Sequence, residues 1–365
     1  MPLTRREFAA FATLAATARA EKFPPRPDTL ALLRRVNDWQ TAHPVMKPDD
    51  RNWERGTWYT GVMAAWKATR DRTFHDQALE WGRLHHWQVG AEWGGANRLF
   101  CVQTWLELYL AAKTKDRSMI QPAIDWLATN APNSPAGATR WYLERNRNGD
   151  RAYVDSLYGA AALAMLTKAT GDRKYLQTMH AFFDDVTGEL FDQEGGLYYR
   201  DKRYIGQKTA NGRKVFWSRG NGWVFAGMAR LLDYLPKSDP HRGRYLDVFR
   251  QMAPALVKRQ GSDGLWRPSL DDAEAIPVPE TSGTGFFCFG LAWGINNRIL
   301  NRATFLPAVR KAWAGLTANI SPEGKVLWGQ QVDGQPNPVK QDSSHEYVTG
   351  TLLLAGSEIY RLAGV

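Results

Sequence analysis

Residues 155–169, DSLYGAAALAMLTKA, decide the fold. Small and apolar side chains occupy this stretch on every face of a 3.6-residue turn. A helix built from it has only a weak polar face and must be buried. The turn Thr170-Gly171-Asp172 follows, and then RKYLQTMHAFF (173–183), whose apolar residues fall on one face. Such a helix covers another helix. Outward from this pair the same unit recurs. Glycine-marked apolar runs also begin near Thr57 (GTWYTGVMAAWKA), Phe100 (FCVQTWLELYLAA), Gly222 (GWVFAGMARLLDYL), Thr284 (TGFFCFGLAWGI) and Glu346 (EYVTGTLLLAGSEIYRL). Matching turns, Thr69-Arg70-Asp71 and Thr114-Lys115-Asp116, follow the first two of these, and one-faced stretches come next. A period of roughly 45–65 residues suits a helical hairpin plus a loop. Six hairpins close most simply into an all-α double ring, an (α/α)6 barrel, with the small-residue helices inside. The sixth inner run is C-terminal, so its outer partner is expected from DTLALLRRVNDWQT (28–41).

The 365 residues are 44% hydrophobic, ample for one α-toroid domain spanning residues 21–365. Residues 1–20 read as an export leader. Thr4-Arg5-Arg6-Glu7-Phe8, a short apolar region and Ala18-Arg19-Ala20 have the layout of a twin-arginine signal. The expected location is the periplasm or the exterior, because no run is long enough for a membrane helix. The net charge is +10, and removing a leader with Arg5, Arg6 and Arg19 against Glu7 leaves +8. A positive field draws polyanions. For an exported chain without a basic run, an acidic saccharide fits better than nucleic acid. Sixteen tryptophans suit sugar stacking as well as core filling. Cys101 and Cys288 fall inside inner runs and read as free, buried thiols. No metal-ligand spacing and no cofactor fingerprint is present.

The polar residues just before or early in the inner runs should converge at one mouth. In order these are Tyr59, Asn97 with Arg98, Asp155 with Tyr158, then Trp217, Arg219, Asn221 and Trp223, then Glu280, and last His345. Asp155 is the most pointed. Asp is a favoured N-cap, but a carboxyl beside Val154, Leu157 and Tyr158 is poorly hydrated. Desolvation raises its pKa and makes a usable proton donor. In Trp217-Ser218-Arg219-Gly220-Asn221-Gly222-Trp223 the glycines allow a tight turn that aims Arg219 and two indoles at one cavity. A guanidinium there could grip a carboxylate while an indole stacks on the sugar.

These residues carry a resemblance. WERGTWYTGVMAA (53–65), VDSLYGAAALAMLTKATGDRKYL (154–176), WSRGNGWVFAGMARLLDYLP (217–236) and PETSGTGFFCFGLAWGI (279–295) are similar to the unsaturated uronyl hydrolases of glycoside hydrolase families 105 and 88, nearer to 105. The resemblance implies an (α/α)6 barrel acting on the 4,5-unsaturated uronic acid that polysaccharide lyases leave behind. It implies Asp155 as the catalytic acid and base, no cofactor, and Arg219, Trp217, Trp223 and Tyr59 as substrate-binding positions. Two departures stand out. Ala96-Asn97-Arg98 replaces an acidic stretch, and a histidine is missing near Tyr198-Tyr199-Arg200. The pocket is therefore more basic, which suits another uronide or one carrying sulfate. A conventional inverting glycosidase, with Glu280 as its second carboxylate, an epimerase and an inactive sugar-binding homologue are the alternatives.

Overall fold

The computed structural model describes residues 23–45, 51–91, 96–130 and 154–364. The expected leader lies outside them. Twelve helices longer than one turn occur among the described residues. The outer ones are α1 (Arg26–Ala42), α3 (Arg72–Leu84), α5 (Gln121–Asn130), α7 (Lys174–Leu190), α9 (Arg242–Val257) and α11 (Arg302–Ala318). The inner ones are α2 (Trp53–Thr69), α4 (Phe100–Ala111), α6 (Ser156–Thr170), α8 (Ser218–Leu232), α10 (Thr281–Asn296) and α12 (Glu346–Leu362).

Burial explains the division. Every residue of α8 is buried, as is all of α10 up to Ile295. In α3 only Phe74, Ala78, Trp81 and Gly82 are buried, one stripe at helical spacing. Each inner helix packs on its neighbours in the order α2, α4, α6, α8, α10, α12 and back to α2. The closing contact between α2 and α12 is the tightest kind. A Cβ on Gly61 would lie 2.4 Å from the Gly350 carbonyl oxygen, and one on Gly350 2.5 Å from that of Thr57. α1 covers α12, as the sequence requires, and Thr349 Oγ1 donates to Gln40 Oε1 at 2.8 Å across that contact.

Two of the three Thr-x-Asp turns, Thr69-Arg70-Asp71 and Thr170-Gly171-Asp172, share one geometry. The middle residues Arg70 and Gly171 sit at φ +64° and +79°. Each Asp then accepts from the backbone two residues on, Thr73 N–H at 3.1 Å and Lys174 N–H at 3.0 Å. These short turns form the base of the barrel. Just inside it, Glu107 accepts from Lys67 Nζ at 2.9 Å, Tyr234 Oη at 2.9 Å and Arg230 Nη2 at 3.2 Å, joining α2, α4 and α8.

The long connections, 191–217, 258–280 and 319–345 among them, gather at the mouth. The first carries an antiparallel pair, β1 (Phe191–Asp192) and β2 (Leu197–Tyr198), with Phe191 opposite Tyr198. Three inner helices begin before their apolar runs do: at Trp53 instead of Thr57, Ser218 instead of Gly222 and Thr281 instead of Thr284. Their first turns are polar and glycine-containing, so hydropathy reads them as loop. Gly220 and Gly222 thus make no turn. They lie in α8, where a Cβ would meet the Trp217 ring at 2.6 Å and the Phe286 ring at 2.9 Å.

Candidate active site

Two carboxylates hold the N-cap position of an inner helix, and they behave oppositely. Glu280 caps α10: its oxygens accept from Ser282 N–H at 2.8 Å and Gly283 N–H at 2.7 Å. Ser282 Oγ adds a short bond to the same carboxylate. Glu280 is buried and occupied by its own helix, which removes it as a second catalytic carboxylate. Asp155 occupies the same position before α6, yet its side chain makes no capping bond. It is 21% exposed, with Oδ2 3.2 Å from Arg200 Nη2. Its buried Oδ1 has no hydrogen-bond partner among the described residues. Burial pushes this carboxyl above the ordinary aspartate range, against the opposing pull of Arg200 and Arg219.

Arg200 stands where the expected histidine is missing. Its Nη1 lies 2.7 Å from Asp201 Oδ2, and Arg203 grips the same carboxylate with Nε at 3.0 Å and Nη2 at 2.8 Å. Asp201 is therefore consumed, while Arg200 still faces Asp155. The segment is placed by Asn221 of α8. Its Oδ1 accepts from Tyr198 N–H at 2.8 Å and its Nδ2 donates to Tyr198 O at 3.0 Å. Asn221, expected to bind substrate, is instead a buried strut that fixes β2 two residues before Arg200.

Arg219 also differs from expectation. Its guanidinium is fully buried between the rings of Trp217 and Tyr347, 4.7 and 5.0 Å from their centroids. It donates to the main-chain carbonyls of Gln330 and Gln331, both at 3.0 Å, and of Asp333 at 3.3 Å. Trp217 Nε1 donates to Gln330 Oε1 at 2.8 Å, and Tyr347 Oη bonds the Gln330 carbonyl. Residues 330–334 thus form a strap across the mouth, and its Gly334 packs on Arg200, 3.1 Å from Cζ for a Cβ there.

Neither indole offers an open face. Trp217 is held under the strap. Trp223 sits among Trp53, Phe100, Tyr158 and Phe286, with ring centroids 4.6–5.7 Å away. They fill space because they lie inside the helix ring, below its rim. Tyr158 lies deeper still, bonded to Thr60 Oγ1 at 2.6 Å. Trp53, in the first turn of α2, is the aromatic of this cluster that stays partly exposed, and hydropathy gave no signal for it.

Other expected site residues point elsewhere. Tyr59 stacks on Trp81 of α3 at 3.9 Å, between the two layers. Arg98 turns outward to Gly90 O at 3.0 Å and the Trp126 ring. Both follow from helical phase: a residue near an inner-helix start can face the outer ring as easily as the mouth. Asn97 is half-buried in the short turn before α4. His345 stays at the mouth as the N-cap of α12, its Nδ1 accepting from Glu346 N–H at 3.0 Å. Burial, assisted by Arg219, pushes it down to about 4, so the imidazole is neutral. Among the described residues no group of three or more His, Cys, Asp or Glu side chains could hold a metal ion. What remains is one uncapped carboxyl, its pKa raised by burial, and a guanidinium facing it.

The family profile described as Glycosyl Hydrolase Family 88 matches residues 32–363. An "Unsaturated 3S-rhamnoglycuronyl hydrolase" of Formosa agariphila is 32% identical over 343 residues, covering 89% of this chain and 88% of the relative. A protein of the same name from an Alteromonas species is 34% identical over 328 residues, covering 87% and 79%. Among solved structures, a "Glycosyl hydrolase family 88 from Bacteroides vulgatus" superposes with a TM-score of 0.82 at 29% identity, covering 93% of this chain and 99% of that one. The profile spans nearly the whole helical ring, and this chain belongs to glycosyl hydrolase family 88.

Proposed function

We propose that this enzyme releases the 4,5-unsaturated uronic acid from the non-reducing end of lyase-generated acidic oligosaccharides. The observation that carries the reading is Asp155, a carboxyl at a helix N-terminus that makes no capping bond, lies 3.2 Å from Arg200 and has its pKa raised by burial. Asp155 gives its proton to C4 of the vinyl ether, and the C4=C5 electrons form the new C–H bond. Water adds at C5 and returns a proton to the Asp155 carboxylate. The hemiketal opens, leaving C1 as a hemiacetal that expels the next sugar. One water is consumed, and one group serves as acid and then base. The relatives' names make an unsaturated uronyl group on rhamnose the first substrate to try.

Arg200 and Arg219 supply the positive field that draws the uronate, and Trp53 the partly open ring beside it. For Arg219 to touch the carboxylate, the strap carbonyls must give way. Asp155→Asn keeps the shape and removes the proton, and no capping bond is at stake. Turnover, followed as loss of the ultraviolet absorbance of the conjugated alkene, should fall at least about a hundredfold, with the melting temperature little changed. An Asn variant that still consumes the alkene would sink the mechanism. The proposal includes export through the twin-arginine leader, so the N-terminus of the secreted protein should begin close to residue 21.

A further inference from the structure

A cavity of about 690 Å³ opens on the mouth side, outside the site described above. Three segments build it: the β1–β2 turn at Glu194 and Gly195, the turn from Lys208 to Lys214, and the corner formed by 258–261 with 270–273. Its size is that of a site for one or two sugar rings. Five cations line it against two carboxylates, and both carboxylates are spoken for. Glu194 pairs with Lys214 at 2.7 Å, and Asp271 with Arg259 at 2.5 Å. The acids behind the wall are also engaged. Asp192 holds Lys214, and Asp272 accepts from Thr209 and Asn211, which fixes the Lys208–Lys214 turn. Lys208, Arg213 and Lys258 are left exposed, with no ion pair among the described residues.

We infer that this cavity is a second saccharide-binding site, which holds a sulfated or carboxylated sugar of a polyanionic chain on Lys208, Arg213 and Lys258. Three cations without an ion pair around one concavity, two of them on a turn fixed by its hydrogen bonds to Asp272, are preorganised for an anion. The position fits a longer substrate. Arg259 in the cavity wall lies over the Phe216 ring, Phe216 packs on Tyr199 at 4.9 Å, and Tyr199 precedes Arg200. The inference rests on the reading that this enzyme handles acidic saccharides.

The test compares two triple variants of equal charge. One carries Lys208→Ala, Arg213→Ala and Lys258→Ala. The other carries Lys113→Ala, Lys237→Ala and Arg302→Ala, exposed positions on the base of the barrel. Binding of dextran sulfate and of polygalacturonate is measured by calorimetry at low salt, and turnover is measured on an unsaturated disaccharide. The cavity variant should bind at least one polymer about tenfold more weakly than the parent, with disaccharide turnover within twofold. Loss for dextran sulfate alone assigns the site to sulfate esters, and loss for polygalacturonate alone to carboxylates. The base variant should bind as the parent does. Equal binding by the cavity variant, or equal losses in both variants, overturns the inference. Failure of the parent to consume the alkene would instead reject the proposed reaction and leave the binding comparison intact.

Discussion

Arg200 donates to Asp155 from one nitrogen and to Asp201 from another. Its charge favours the Asp155 carboxylate, so it opposes the burial that raises this pKa. Arg200→Gln removes that opposition, and the Asp155 pKa should rise further. In the proposed reaction the acid must be protonated when it meets the alkene, so the alkaline limb of kcat/KM should move to higher pH. Loss of one charge-assisted hydrogen bond should also lower kcat/KM about ten- to a hundredfold at neutral pH. A purely structural Arg200 would leave the limb where it was, which a pH profile decides. The place of Asp155 at the mouth was legible in the sequence because a lone acid heads an otherwise apolar helix. Arg219 was only half legible. Its presence at the mouth follows from the sequence, but its partners are main-chain carbonyls of residues 330–333, over a hundred positions away in a loop with no periodicity.

At the scale of elements, α8 both builds the ring and sets the site. Its first turn carries Arg219 for the strap and Asn221 for β2. Asn221→Ala would leave the buried N–H and C=O of Tyr198 without their partner, at about 1–3 kcal/mol. Its melting temperature should fall, and activity should fall with it because Arg200 lies two residues beyond the freed strand. An Asn221→Ala protein that melts with the parent would show that β2 is held by something else. The same turn shows why helix starts were misplaced. Periodicity reports apolar burial, and here glycines, an arginine and an asparagine are buried by packing and hydrogen bonds. By contrast the six-unit plan was plain, since small residues on every face of a helix allow few placements other than a crowded interior.

For the whole molecule, charge is buried at both ends of the barrel. At the mouth Arg55 grips Glu346 through Nε at 3.1 Å and Nη2 at 2.7 Å, fastening the first inner helix to the last. Near the base, burial alone would push the Glu107 carboxyl up, but Lys67 and Arg230 outweigh it and hold it below the ordinary range. A depressed folded-state pKa adds stability above the unfolded value, and that stability is lost as pH falls through the folded one. Glu107→Gln leaves the buried Arg230 and the partly exposed Lys67 short of an anion and should cost about 3–5 kcal/mol near neutral pH. The gap to the parent should persist into the ordinary carboxylate range and close only below it, which denaturant titrations at several pH values would show. The Arg55–Glu346 clasp spans 291 positions of chain. A ribosome adding 5–20 residues per second needs roughly 15–60 s to make that stretch. Throughout that interval α2 waits with its α12 side bare, so a nascent chain stalled before residue 346 should remain protease-sensitive and a target for holding chaperones until the last helix arrives.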